Sequence, residues 1–198
     1  MHWVRNGAIA LVLVVVAAVL WLGLQPSAPL LPINDRLGGA ITLTDQHGES
    51  FNTAALQGKV QLLFFGYTHC PDICPATLAR VTQAWRRLRE AGHGDETAVV
   101  FVTFDPQRDT AEVLKRYLQF FDENIVGLTG SEEEIRLAAE KYGVVFLPDE
   151  SVDEKGKVKR LYAHSDFIYL LDRLGRVRKL YPSDGDIEEM VEDAKSLL

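Results

Sequence analysis

Two short apolar runs limit what this chain can fold into. Val60-Gln-Leu-Leu-Phe-Phe65 and Ala98-Val-Val-Phe-Val-Thr-Phe104 are nearly continuous in apolar residues and rich in β-branched and aromatic side chains. Runs that do not alternate with polar residues suit strands buried on both faces of a parallel sheet. Between them, Ala76 to Glu90 carries Leu78, Val81, Trp85 and Leu88 at helical spacing, with Trp85 read as core packing. Parallel strands need a crossover, the crossover is right-handed, and the helices then cover the sheet.

The remaining segments extend this unit. Ile41–Thr44 and Glu49–Phe51 flank Asp45-Gln46-His47-Gly48, which predicts a hairpin with His47 as a solvated turn residue. Asp109-Thr110 opens a second helix carrying Val113, Leu114, Tyr117, Leu118 and Phe121, and Ser131 with Glu134 forms a capping box for a third that ends at Tyr142-Gly143. Residues 148–160 are charged and turn-rich and read as an exposed insertion. Phe167–Leu171 and Arg176–Tyr181 flank a second turn, Asp172-Arg-Leu-Gly175, and a last helix is expected from about Asp186 to Leu198. The order hairpin, β-α-β-α, helix, hairpin, helix resembles the thioredoxin plan: a three-layer α/β sandwich with an N-terminal hairpin and an insertion.

Ahead of this domain, every residue from Gly7 to Leu24 is apolar or glycine. A helix of roughly 20 such residues spans a bilayer core, so residues 7–24 are expected to form a single transmembrane anchor. Setting them aside leaves about 170 residues, enough for one domain with a sizeable core. No small-x-small cleavage site follows the run, and no cysteine that could carry lipid. Residues 25–39, with Pro26, Pro29, Pro32 and Gly38-Gly39, read as a linker to a domain at 40–198. Arg5 lies just before the span and the next basic residue, Arg36, well beyond it, which places residues 1–6 in the cytoplasm and the domain in the periplasm of a bacterial inner membrane. A net charge of −7 argues against a nucleic-acid partner, since phosphate binding needs a basic face.

Both cysteines fall in one loop, Gly66-Tyr-Thr-His-Cys70-Pro-Asp-Ile-Cys74-Pro75, between the first apolar run and its helix. Ligands bind at the carboxyl ends of strands in open α/β sheets, which is where this loop sits. Pro75 is read as the first residue of the helix. Cys74 then lies at the positive end of the helix dipole, and both sulfurs are expected to incline toward thiolate. A disulfide closing so short a loop adds little stability, so the pair calls for a chemical role. The C-x-x-x-C spacing is compatible with a redox disulfide and with a soft metal such as Cu(I), which accepts imidazole beside thiolates. His2, His47 and His93 read as bystanders, and His69, beside Cys70, as a weak candidate ligand. His164 precedes the strand at Phe167–Leu171, next to the cysteine loop in a thioredoxin-like sheet, where oxidoreductases of that fold usually carry proline. It is the candidate third ligand.

The cysteine loop, Val102-Thr-Phe-Asp-Pro-Gln-Arg-Asp-Thr110, Gly127-Leu-Thr-Gly130 and His164-Ser165 before Ile168-Tyr-Leu together resemble the Sco/SenC/PrrC family over nearly all of residues 35–198. The resemblance implies a membrane-anchored, thioredoxin-like copper chaperone in which Cys70, Cys74 and His164 bind a copper ion. It also implies delivery to the copper centre of cytochrome c oxidase subunit II or another copper-receiving protein, after loading by a copper donor. Two other roles stay open: a thiol–disulfide reductase acting through Cys70 and Cys74 on the oxidase's ligand cysteines, and a copper or redox sensor. One departure stands out. The family commonly has aspartate where this chain has Ala163, and a carboxylate there is expected to orient the imidazole, with Asp166 as its replacement. Asp105 and Asp109 are read as turn-forming and helix-capping residues.

Overall fold

The computed structural model describes residue 14, residues 31–152 and residues 158–198. Apart from Val14, the expected anchor Gly7–Leu24 lies outside the described residues, as does the first part of the linker. Among the described residues no helix is long and apolar enough to cross a membrane.

The two apolar runs form β3 (Val60–Gly66) and β4 (Thr97–Thr103), with every residue of both strands buried. They pair in parallel from Val60↔Thr97 to Gly66↔Thr103, and α1 (Ile73–Leu88) makes the crossover. The first hairpin is β1 (Thr42–Asp45) and β2 (Ser50–Asn52); the second is β8 (Ile168–Leu171) and β9 (Val177–Tyr181). With β5 (Val126–Thr129) they complete a seven-stranded sheet in the order β2-β1-β5-β4-β3-β8-β9.

β5 was not expected, because the sequence reading passed from helix to helix. Its four residues include a glycine and show no apolar run. It pairs in parallel with β4 from Val100↔Val126 to Val102↔Leu128. Gly127 belongs there because a Cβ would collide with Leu118 of α2 (Ala111–Leu118), which packs directly on the strand.

Alternation along β3 builds the two faces of the core. Phe64 meets Phe101 on one side, with ring centroids 6.0 Å apart, and Tyr117 of α2 packs on Phe101 beyond it. Phe65 meets Tyr142 and Tyr169 on the other side, next to the end of α3 (Glu132–Lys141). The Ser131–Glu134 capping box starts α3 as expected, and Asp186 caps α4 (Ile187–Lys195), which packs against α1. Trp85 is buried, and its indole N–H donates to Thr97 Oγ1 at 3.1 Å.

The charged insertion is a separate two-stranded ribbon. β6 (Phe146–Val152) and β7 (Val158–His164) pair antiparallel from Phe146↔His164 to Val152↔Val158, and residues 153–157 lie outside the described residues. Residues 31–38, read as the end of the linker, run along β9. Asn34 N–H donates to Val177 O at 2.8 Å, Gly38 bridges to Arg176, and the Arg178 guanidinium donates to Leu31 O.

Candidate metal centre

β3 ends at Gly66, and the chain turns through residues 67–72 into α1. Cys74 lies in the first turn of α1; Pro75 is the third helical residue rather than the first. Gly66 is required by close approach: a Cβ there would stand 2.9 Å from the rings of Phe101 and Phe64 and 3.3 Å from Cys74 Sγ. Both thiols are free, Cys70 at 8% exposure and Cys74 at 0%. Cys74 N–H donates to Cys70 Sγ at 3.3 Å.

The two sulfurs do not share the same tendency, contrary to expectation. The Cys74 side chain hydrogen-bonds to the Cys70 sulfur and, with the Cys74 and Asp72 backbone N–H groups, outweighs burial to bring the Cys70 thiol down to about 5. Giving that hydrogen bond, and lying deep in the core, pushes the Cys74 thiol up. Desolvation and the neighbouring sulfur override the helix end, so the pair holds one thiolate and one proton.

His164 closes β7 and approaches from the opposite side. Its Nε2 lies 3.8 Å from Cys74 Sγ. Its Nδ1 is 2.8 Å from the Ser165 carbonyl oxygen, which can only accept, so the proton of the neutral ring belongs on Nδ1 and the Nε2 lone pair faces the sulfur. Phe104 packs on the imidazole with centroids 4.9 Å apart, and Tyr67 stands edge-on at 6.1 Å. Donor atoms of Cys70, Cys74 and His164 lie within 4.8 Å of one another. A metal–thiolate bond is about 2.3 Å for zinc, so one ion seated between the donors reaches all three. The orienting group is thus the Ser165 carbonyl and not a carboxylate. Asp166, the expected replacement, instead accepts from Ser183 Oγ at 2.7 Å. Ala163 is exposed on the outer face of the ribbon, opposite Leu147, so an aspartate there would point away from the ring.

With this fold and this triad in place, the profile of the SCO1/SenC family matches residues 32–198. The chain belongs to the SCO1/SenC family. An "SCO2-like protein" of Rickettsia felis is 38% identical over 162 residues, 82% of this chain and 77% of that one. The structure of Bradyrhizobium japonicum ScoI with copper bound aligns at a TM-score of 0.72 and 35% identity, covering 82% of this chain and 99% of that one. Yeast Sco1 with copper bound aligns at 0.68 and 36%, covering 82% and 90%. The thioredoxin-like α/β fold is the one these Sco structures share.

In this SCO1/SenC chain, Asp105 and Asp109 do more than their sequence reading allowed. Both are fully buried. Thr110, not Asp109, caps α2, accepting from Val113 N–H. Asp109 accepts from Thr68 N–H at 2.8 Å and from the Thr68 and Thr103 hydroxyls at 2.5 and 2.7 Å, which ties down the cysteine loop. Asp105 keeps its turn role, its carbonyl accepting from Arg108 and Asp109 N–H, but its carboxylate also pairs with Arg108 and accepts from Tyr162 OH at 3.2 Å. His69 is half-exposed, with Nδ1 3.0 Å from Thr68 Oγ1 and 3.4 Å from Asp109 Oδ1. His69, Asp105 and Asp109 also lie within 4.8 Å of one another, but both carboxylates are already committed to protein donors, so this group is scaffold. His93 pairs with Glu96 at 3.1 Å, His47 is exposed in its turn, and His2 lies outside the described residues. Sequence reasoning missed Thr68 and the aromatic wall of Tyr67, Phe104, Phe146 and Tyr162. The placement of Tyr162 two residues before His164 was the available signal for that wall.

Proposed function

We propose that this chain is a copper-carrying member of its family, with Cys70 Sγ, Cys74 Sγ and His164 Nε2 as the ligand set. The observation that carries the reading is the convergence of two sulfurs and one lone-pair-bearing imidazole nitrogen, from positions 90 residues apart in sequence, at separations one ion can span. Two soft thiolates with one imidazole select Cu(I), and a site of few ligands leaves room for a recipient's donors to extract the cargo. Copper-bound Sco relatives of similar fold support the choice of metal. On this reading the protein is a metallochaperone rather than an enzyme. It is anchored by residues 7–24 in a bacterial inner membrane, with the domain in the periplasm. A copper donor loads it, and it passes copper to the subunit II centre of cytochrome c oxidase or another receiving protein.

The test is anaerobic Cu(I) titration against a competing chelator, with wild type compared to His164→Ala. One copper per chain, held far more weakly by the variant, is the expected result; equal binding by both makes His164 structural and removes the third ligand. A second reading draws on the split between the sulfurs. Cys70 as a ready thiolate beside a protonated Cys74 is the arrangement of an attacking and a resolving thiol, which supports disulfide reduction by the same pair. That activity does not need His164, so the same variant separates the two readings.

A further inference from the structure

Asp105 and Asp109 stand at the two ends of one short loop, and each carboxylate serves a different half of the metal centre. Asp109 receives Thr68 N–H and Oγ1–H, fixing the backbone two residues before Cys70. Asp105 Oδ1 accepts from Tyr162 OH at 3.2 Å. Tyr162 lies two residues before His164 in β7 and therefore on the same face of the ribbon, packed edge-to-face against Phe104 and Tyr67 with ring centroids 5.2 Å apart in each pair. Between the two aspartates, Gln107 Oε1 accepts from Arg160 Nη1 of the same strand at 2.6 Å. Among the described residues the ribbon pairs with no strand of the seven-stranded sheet, and these side-chain ties and the aromatic wall help hold it in place. Arg108 balances the buried charge of Asp105 from the Oδ2 side while lying 5.8 Å over the Tyr67 ring, which leaves Oδ1 to the ribbon.

We propose that the loop 105–109 is a clamp that sets the histidine ribbon against the cysteine loop, with Asp105 and Tyr162 as positioning residues for His164. The clamp holds the body to the ribbon with or without metal; only its consequence for affinity rests on the copper reading.

The test uses the full chain in detergent and Tyr162→Phe, which removes the hydroxyl and keeps the ring. In the copper-free protein, amides of β6 and β7 are expected to exchange about tenfold faster once that charge-assisted bond is lost, while those of β3 and β4 stay as in wild type. Cu(I) affinity is expected to fall by about tenfold when His164 is present, and by nothing further in a His164→Ala background. Ribbon amides exchanging at the wild-type rate would overturn the clamp. So would an equal loss of affinity with and without His164, which would mark Tyr162 as a general structural residue. A wild type that takes up no copper sinks the proposed function but not the clamp, which the ribbon exchange still decides. Should Tyr162→Phe fail to fold, Gln107→Ala cuts the second tie at an exposed position and is read the same way.

Discussion

The cysteine loop and the histidine ribbon meet at one centre but are built by different means. The loop grows from a fully buried parallel strand, is pinned by a buried carboxylate, and starts at Gly66, where a Cβ would meet two aromatic rings and the Cys74 sulfur. The ribbon is a two-stranded appendage, an arrangement of marginal stability by itself. It is held by aromatic packing, by Tyr162 to Asp105 and by Arg160 to Gln107. Two of the three candidate donors therefore belong to the core and the third to the appended ribbon. On the proposed ligand set, the core half is expected to set whether copper binds and the appended half how firmly.

The sharpest way to break this contrast is to remove a sulfur. Cys70→Ser or Cys74→Ser is expected to lower Cu(I) affinity by more than the roughly 100-fold that loss of a supporting group can cost, measured by chelator competition. Retention of near-normal affinity in either variant would show that the core half is not the foundation of the site. His164→Ala comes next, with a loss above about tenfold in affinity but a near-normal rate of disulfide reduction by Cys70 and Cys74. A parallel fall in both activities would mean that the ribbon supports the thiols as well.

Gly66→Ala tests the packing of the core half. The added methyl meets two rings and Cys74 Sγ, so a cost of about 1–3 kcal/mol and a matching drop in thermal midpoint are expected for the copper-free protein. Reactivity against pH tests its charge. Alkylation proceeds through the thiolate, so the rate at Cys70 is expected to rise about tenfold per pH unit below its pKa and to level off above a midpoint near about 5, while Cys74 stays unmodified in the folded chain. A midpoint in the ordinary thiol range would undo the split between the sulfurs. The smallest effect belongs to the ribbon's outer face. Ala163→Asp is expected to change stability by less than about 0.5 kcal/mol and to leave copper affinity unchanged, because the side chain points to solvent. Tightened binding would reinstate a carboxylate as the group that orients His164.

What could be read in the sequence divides along the same line. The β-α-β unit, both hairpins and the α3 capping box were legible because each rests on a local period or a turn signal within a few residues. Residues 126–129 and the ribbon were not. The first is short and contains Gly127, and the second carries charges such as Asp149, Glu150, Lys159 and Arg160 where a strand pattern would alternate. The grouping of Cys70, Cys74 and His164 was legible through the family resemblance and the fold it implies. The roles of the buried aspartates were hidden because their partners are remote: Thr68 lies 41 positions from Asp109, and Tyr162 57 positions from Asp105. The division of charge between Cys70 and Cys74 depends on contact between the sulfurs, and spacing alone does not report it.

That division bears on the cargo. The empty pair carries one negative charge, because Cys74 keeps its hydrogen and Cys70 does not. On the proposed ligand set, binding a cuprous ion to both sulfurs as thiolates would expel that hydrogen as a proton, so one monovalent cation would replace another. The loaded and empty centres then have the same net charge, and the surrounding apolar wall meets no new electrostatic burden when copper arrives or leaves. A divalent ion breaks the parity, since the site gains a positive charge on loading. Direct exchange of a proton for a cuprous ion would release about one proton per copper between the two thiol pKa values, a stoichiometry that calorimetry in buffers of different ionisation enthalpy can count.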